Sequence, residues 1–213
     1  MKNRESIEVY CLNLKPCPPD HFLHILPELN AGDRQRAASF AKNDDRRRFL
    51  GGRYLLDQYL KESRASESLR HITLDAFKRP RLAQTAFSIS HSEDWVVMAA
   101  GIGDVSIGID LEVCVPRYLP DFLAPFTEEE TAYILQENAL SRFYHAWTKK
   151  ESALKAIGKG FLYDALEINT QSHLFFYENR KFNWYALHLA DDVATNLCHD
   201  LENAKVTWKM VSH

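Results

Sequence analysis

No two cysteines of this 213-residue chain form a Cys-x-x-Cys pair. Cys11, Cys17, Cys114 and Cys198 are scattered, so neither a zinc knuckle nor a thioredoxin-like site is indicated, and reduced, mostly structural thiols are expected. Long hydrophobic runs are missing too. The longest nearly apolar stretch, Trp95–Ile102, falls far short of the roughly 20 residues that span a bilayer, and Met1-Lys2-Asn3-Arg4-Glu5-Ser6 lacks the apolar stretch of a signal peptide. A cytoplasmic protein with no membrane association is the expectation. Neither charge sign dominates: 26 basic residues stand against 29 acidic ones, a net −3, which gives no reason to expect nucleic-acid binding. There is no Gly-x-x-x-x-Gly-Lys-Ser/Thr loop, which argues against an ordinary P-loop nucleotide enzyme. No low-complexity tract, long linker or acidic tail interrupts the order, so two halves should pack directly, with a ligand cleft between them.

What is present reads as strand, helices and strands, twice over. Ile7 to Leu14 has strand character and is ended by Pro16, Pro18 and Pro19. Helical spacing follows from Asp20 to Leu29, restarts at Gly32-Asp33, and continues through Phe49, Leu50, Leu55, Leu56 and Leu60, with Asp44 or Asp45 as the cap and a basic opposite face. From Ile72 short strands are expected, with a hairpin turn at Ser92-Glu93-Asp94 before a doubly buried Trp95–Ala100. Gly101–Asp104 reads as a connector. The second half carries a strand around Asp110, helices near Thr127–Gln136 and Ser141–Ile157, and strands from Ile168 onward, including a hairpin about Glu178-Asn179-Arg180. Lobes of 1–104 and 105–213 follow.

Two segments carry chemistry. In Val105-Ser106-Ile107-Gly108-Ile109-Asp110-Leu111-Glu112 strict alternation puts Asp110 and Glu112 on one strand face, their Cβ atoms roughly 6–7 Å apart, with Gly108 leaving room beside them. In Trp147–Gly160 one carboxylate, Glu151, lies among Lys149, Lys150, Lys155 and Lys159. A metal ion wants carboxylates and phosphate oxygens want cations, so the pair suits a site for Mg²⁺ and phosphates, Glu151 being a third oxygen ligand if the helix packs against the strand. Each feature also has an ordinary reading. Asp110 and Glu112 suit the solvated face of an edge strand, Glu151 and Lys155 make an i,i+4 helix pair, and Lys159 suits a C-terminal helix dipole.

Ile107-Gly108-Ile109-Asp110-Leu111-Glu112, followed by Trp147-Thr148-Lys149-Lys150-Glu151-Ser152-Ala153-Leu154-Lys155, resembles the paired signature of 4′-phosphopantetheinyl transferases of the surfactin-synthetase-activating type. Phe87-Ser88-Ile89-Ser90-His91-Ser92-Glu93-Asp94-Trp95 is similar to the family's phosphate-binding segment, and Arg79-Pro80 stands where the family usually has Lys-Pro. The resemblance implies an α+β fold in which two similar α/β lobes are related by a pseudo-twofold, with the active site in the cleft between them. It implies transfer of 4′-phosphopantetheine from coenzyme A to a serine of an acyl or peptidyl carrier protein, with release of adenosine 3′,5′-bisphosphate. Mg²⁺, with Mn²⁺ as an alternative, would sit on Asp110, Glu112 and Glu151. Catalysis would fall to Glu151, Lys155 and Asp110, with Glu151 acting as base, as metal ligand or as both. Coenzyme A would be held by Arg36, Arg47, Arg79, Ser90, His91, Lys150 and Lys155, although Arg36 and Arg47 also read as solvated helix charges. A monomer is the simplest expectation, since one chain supplies both lobes. A non-catalytic coenzyme A or carrier-binding module, or another Mg²⁺-dependent phosphotransferase, remains as the alternative.

Thr127-Glu128-Glu129-Glu130 reads as a capping box, and Glu130 is also a secondary candidate for the acceptor side. Phe143, Tyr144 and Trp147 are expected in the core. An acidic carrier protein would want a basic docking surface, for which Arg46, Arg48 and Arg53 are the expected donors.

Overall fold

The computed structural model describes residues 6–158 and 165–212, so Lys159 and Gly160 of the signature segment lie outside the described residues. Along the chain come β1 (Ser6–Asn13), α1 (Ala31–Ser39), α2 (Asn43–Ser63), β2 (Thr73–Leu74), β3 (Pro80–Arg81), β4 (Thr85–Ser92), β5 (Trp95–Ile102) and β6 (Ile107–Val113). They are followed by α3 (Glu128–Ile134), α4 (Ala139–Ile157), β7 (Leu174–Tyr177), β8 (Arg180–Leu187), β9 (Val193–His199) and β10 (Lys205–Met210). The fold class is mixed α+β. Among the described residues no helix is long and apolar enough to cross a membrane.

The chain divides into two compact units, one running to Asp104 and resuming at Ala204, the other covering Val105–Asn203. This differs from a second lobe of 105–213. The last strand, β10, pairs parallel with β1 from Ser6↔Lys205 to Cys11↔Met210, and its hydrogen bonds place it in the first unit. That unit's sheet has the order β10-β1-β5-β4. The β4–β5 hairpin turns at Glu93-Asp94 as expected, with Glu93 at φ 48. Val96 to Ala100 are fully buried, so β5 is covered on both faces. Helix α2 lies on the sheet through Phe49, Leu50, Leu55, Leu56 and Leu60, all buried. Gly52 lets it come close: a Cβ there would sit 2.9 Å from Cγ2 of Ile89. Lys42, not Asp44 or Asp45, is the N-cap; the two aspartates occupy the first turn and pair with Arg47 and Arg48 three residues on. The Asp20–Leu29 segment forms a 3-10 helix, His21–Glu28, with Pro27 inside it.

In the second unit the sheet order is β6-β9-β8-β7. The β7–β8 hairpin turns at Glu178-Asn179, both at positive φ (45 and 63), the left-handed pair of a tight hairpin. Residues from Ile168 do not begin a strand at once. A 3-10 turn, Ala165–Glu167, precedes Ile168, which is fully buried against α4, and the first strand waits until Leu174. Helix α4 covers β6 and β9, with Ala153, Leu154 and Ala156 packed on Phe175, Phe182 and Cys198. Phe143 and Tyr144 are buried and Trp147 packs beside them, as the sequence suggested. The helix ends at Gly158, φ 81, whose N–H reaches the Leu154 carbonyl at 2.9 Å.

The contact between α4 and β6 is backbone on backbone. A Cβ built on Gly108 would lie 1.9 Å from the Ser152 carbonyl oxygen and 2.4 Å from the Ala156 nitrogen. The room that Gly108 leaves is therefore filled by the helix itself. A second tie joins α4 to α3. Thr127 and Glu130 form the expected capping box, and the other Glu130 oxygen accepts from the Thr170 amide at 2.7 Å and hydroxyl at 2.6 Å. Lys150 completes it, 2.9 Å from Glu130 Oε2, the two side chains being 3% and 1% exposed. Burial pushes the Glu130 carboxyl up, but Thr170, Thr127 and Lys150 together outweigh it and hold the carboxyl below its usual value.

Two outcomes follow for stability. Gly108→Ala should force α4 off β6 and lose at least the roughly 1–3 kcal/mol of an overpacked core, read as a lowered Tm by calorimetry. An unchanged Tm would show that the close approach is unimportant. Glu130→Gln leaves the Lys150 ammonium buried without its counter-charge and should destabilise by about 3–5 kcal/mol at neutral pH. Because the folded carboxyl titrates below the unfolded one, Glu130's contribution is complete above the unfolded value of about 4.3 and is lost as pH falls through the folded value. The Tm gap between wild type and variant should therefore narrow in acid; a gap constant down to pH 2 would contradict this.

Candidate functional site

Strand alternation turns Gly108, Asp110 and Glu112 of β6 toward α4, while Ile107, Ile109 and Leu111 occupy the other face. Glu151 and Lys155 stand one helical turn apart on α4, on the side that meets β6. Lys155 Nζ donates to Asp110 Oδ1 at 2.7 Å and to the Ile109 carbonyl at 3.1 Å. Asp110 is buried, whereas the Lys155 side chain keeps 31% of its exposure. The Glu151 carboxyl is raised above its usual value, first by burial and then by the charge of Asp110, with Lys155 opposing and Glu112 adding to the rise. Three carboxylates and one ammonium thus share one electrostatic neighbourhood at the α4–β6 junction.

They do not form a finished cage. Among the described residues no three carboxylate, histidine or cysteine side chains are arranged to close on a metal ion, and Asp110 is ion-paired with Lys155. The donor set still suits Mg²⁺, which takes one or two carboxylates and completes its octahedron with waters and substrate phosphates. The repulsion that lifts Glu151 is also what an added cation would relieve. A support that sequence reasoning missed holds this region together. Asn196 on β9 pairs with Asp110 across the sheet, and its Nδ2 donates to Thr148 Oγ1 of α4 at 2.8 Å. Its only sequence signal is an amide side chain, next to Thr195, in the otherwise apolar Val193–Cys198 stretch.

Lys150, expected on coenzyme A, is corrected. Its ammonium donates to the carbonyls of Ala165 at 2.8 Å and Ile168 at 2.7 Å in addition to Glu130, so all three protons have acceptors inside the unit. Glu130 is likewise committed to the interior, which removes it as an acceptor-side candidate.

In the first unit the expected phosphate contacts are dispersed. Ser90 and His91 are neighbours on a regular strand and so point to opposite faces. Ser90 is buried and His91 exposed, which separates the expected pair. His91 lies toward the first turn of α2, where its charge is felt by Asp45 and where Arg48 donates to the Glu93 carbonyl at 3.0 Å. Arg47, expected on coenzyme A, is largely spent on the carbonyls of Leu14 at 2.7 Å and Cys17 at 3.4 Å. Arg36 is exposed, its guanidinium 5.3 Å from the Phe49 ring centroid. Arg79 holds Asp75 through Nε at 2.8 Å, and Arg81 approaches the same carboxylate at 3.4 Å. Arg53 is corrected as a docking donor: it is buried, forks onto both Asp33 oxygens at 2.6 and 3.2 Å, and lies over Phe49.

The second unit's geometry offers carboxylates for a divalent cation, a partly exposed ammonium for phosphate oxygens, and a carboxyl with raised affinity for a proton. Comparison with known proteins gives this arrangement its context. Residues 106–198 match the model of the 4′-phosphopantetheinyl transferase superfamily, and residues 15–103 match that of the 4′-phosphopantetheinyl transferase N-terminal region. The chain is 38% identical over 80 residues to the 4′-phosphopantetheinyl transferase psf-1 of Bacillus pumilus, a stretch covering 36% of this chain and 34% of that protein. It is 37% identical over 84 residues to the 4′-phosphopantetheinyl transferase Sfp of Bacillus subtilis (strain 168), covering 38% and 37%. With the L-aminoadipate-semialdehyde dehydrogenase-phosphopantetheinyl transferase of Mus musculus it shares 28% identity over 160 residues, covering 65% of this chain and 51% of the relative. The match thus spans about a third of the bacterial relatives and half of the mouse one, yet the two family models follow one another along the sequence as the two units do, and the chain belongs to the 4′-phosphopantetheinyl transferase superfamily.

Proposed function

We propose that this protein transfers the 4′-phosphopantetheine group of coenzyme A to a serine of an acyl or peptidyl carrier protein in a Mg²⁺-dependent reaction, acting as a cytoplasmic monomer. The observation that carries the reading is the meeting of Asp110, Glu112 and Glu151 with Lys155 at the α4–β6 junction. Asp110 and Glu112 would hold Mg²⁺, or Mn²⁺ in its place, which when bound supplies positive charge to the pyrophosphate oxygens. The serine hydroxyl oxygen forms a bond to the β-phosphorus of coenzyme A as the bond from that phosphorus to the bridging oxygen breaks. Adenosine 3′,5′-bisphosphate leaves with the bridging oxygen.

The chain's own side chains then have separable tasks. Glu151, whose carboxyl is lifted by burial and by Asp110, takes the hydroxyl proton directly or through a water, a higher proton affinity making it a better base than an ordinary carboxylate. Lys155 is anchored by Asp110 and the Ile109 carbonyl and is still partly exposed, so its ammonium faces the charge that grows on the departing phosphate. Arg36, Arg79 and His91 are the first-unit side chains assigned to the remaining phosphates. Lys150 acts only through the structure.

Incubating the protein with coenzyme A, Mg²⁺ and a panel of apo carrier proteins, with and without chelator, tests the reading by intact-mass spectrometry. A chelator-sensitive gain of one phosphopantetheine mass is expected; no gain on any carrier despite measured coenzyme A binding would leave a binding module instead. Lys155→Ala should lower kcat by roughly 10²–10³-fold with little change in KM for coenzyme A, whereas Lys150→Met should lower Tm. If Lys155→Ala raises KM alone, its role is ground-state binding. Light scattering should give the mass of a single chain, and a dimer mass would contradict the monomer.

A further inference from the structure

A second cationic stripe runs along α4 and takes no part in the transfer reading. Arg142, His145, Ala146 and Lys149 follow one another at helical spacing, and counted at about 100° per residue Arg142 lies roughly 180° around the helix from Glu151. With Tyr133, Ser141 and Thr170 they line a surface hollow of about 150 Å³. The lining holds three basic side chains and three hydroxyls but no carboxylate, in a chain whose acidic residues outnumber its basic ones. The other interior basic groups of α4 have counter-charges: Lys150 has Glu130 and Lys155 has Asp110. Among the described residues no carboxylate pairs with Arg142 or Lys149.

We propose that this hollow binds a phosphate-class oxyanion, at a site separate from the proposed transfer centre. The positions of the donors support it. Arg142 is fixed by Nη1, which donates to the Tyr133 carbonyl at 2.9 Å and to Gln136 Oε1 at 2.7 Å, and its guanidinium stacks 4.5 Å from the Tyr133 ring centroid. Its Nε and Nη2 have no hydrogen-bond partner among the described residues, leaving the side-on fork that matches two oxygens of a phosphate. Lys149 is held by the carbonyls of Thr170 at 2.7 Å and Ser172 at 3.3 Å, with a third proton to give. Burial, and then the Lys149 charge, hold the His145 imidazole below its usual value, a shift that a bound anion would oppose. The donors are thus positioned before any ligand arrives, which spares the ligand the cost of ordering them.

The test uses the full chain, inorganic phosphate as the probe, and the His145 imidazole resonances, identified by their loss in His145→Gln. Saturable shifts in the millimolar range are expected, weakened at least tenfold by Arg142→Gln and by Lys149→Met, with phosphopantetheinyl transfer by Arg142→Gln unchanged. Coenzyme A should not displace the phosphate, so the result stands whether or not the transfer reading does. Shifts that never saturate, that persist in Arg142→Gln, or that acetate produces at equal or lower concentration would overturn the assignment.

Discussion

The missing Cβ of Gly108 is the constraint on which the site rests. Only without it can the backbone of α4 touch the backbone of β6, Ser152 oxygen and Ala156 nitrogen occupying the space that any side chain would need. Once the two elements touch, their repeats nearly coincide. Two residues of strand advance about 6.6 Å and four residues of helix about 6 Å, so alternate positions of β6 and successive turns of α4 stay side by side over the length of the contact. Asp110 then meets Lys155, and Glu151 feels both Asp110 and Glu112. A wider spacing would let water in among these groups, weakening the coupling that lifts Glu151 and the pairing that fixes Lys155.

The same helix explains why two lysines of one motif have unlike fates. Five residues separate Lys150 from Lys155, a turn of about 140° once full circles are removed, while Glu151 and Lys155 differ by only about 40°. A helix that points Glu151 and Lys155 at β6 must point Lys150 elsewhere, and it finds Glu130, Ala165 and Ile168. That much could have been derived from the sequence by counting angles. What could not was the partner: Glu130 lies 20 positions earlier on another helix, and its local capping role with Thr127 already accounts for its presence.

Legibility followed the reach of each interaction. The alternation of β6, the hairpins about Glu93-Asp94 and Glu178-Asn179, the capping box at Thr127 and the apolar face of α2 are decided within a few residues, and the sequence displays them. The return of β10 to β1 joins Lys205 to Ser6, and nothing local in either strand names the other. Arg53 read as part of a basic helix face because its counter-charge, Asp33, is on a different helix. Ser90 and His91 read as a pair because they are adjacent, although adjacency on a strand is what separates two side chains.

The arginine at position 79, where the resemblance leads one to expect lysine, becomes intelligible from its surroundings. Asp75 accepts from the Arg79 amide at 3.0 Å and from its Nε at 2.8 Å, which closes the loop between β2 and β3. Burial raises the Asp75 carboxyl, but the hydrogen bonds from Arg79 and Phe77 and the charge of Arg79 bring it below its usual value, so it stays ionised across the neutral range. A lysine would have to meet Asp75 and a further acceptor from one and the same nitrogen. An arginine divides the work, Nε holding the carboxylate while the two terminal nitrogens remain for another acceptor. Position 79 can thus be a structural residue and a phosphate contact at once, because one side chain carries donors enough for both.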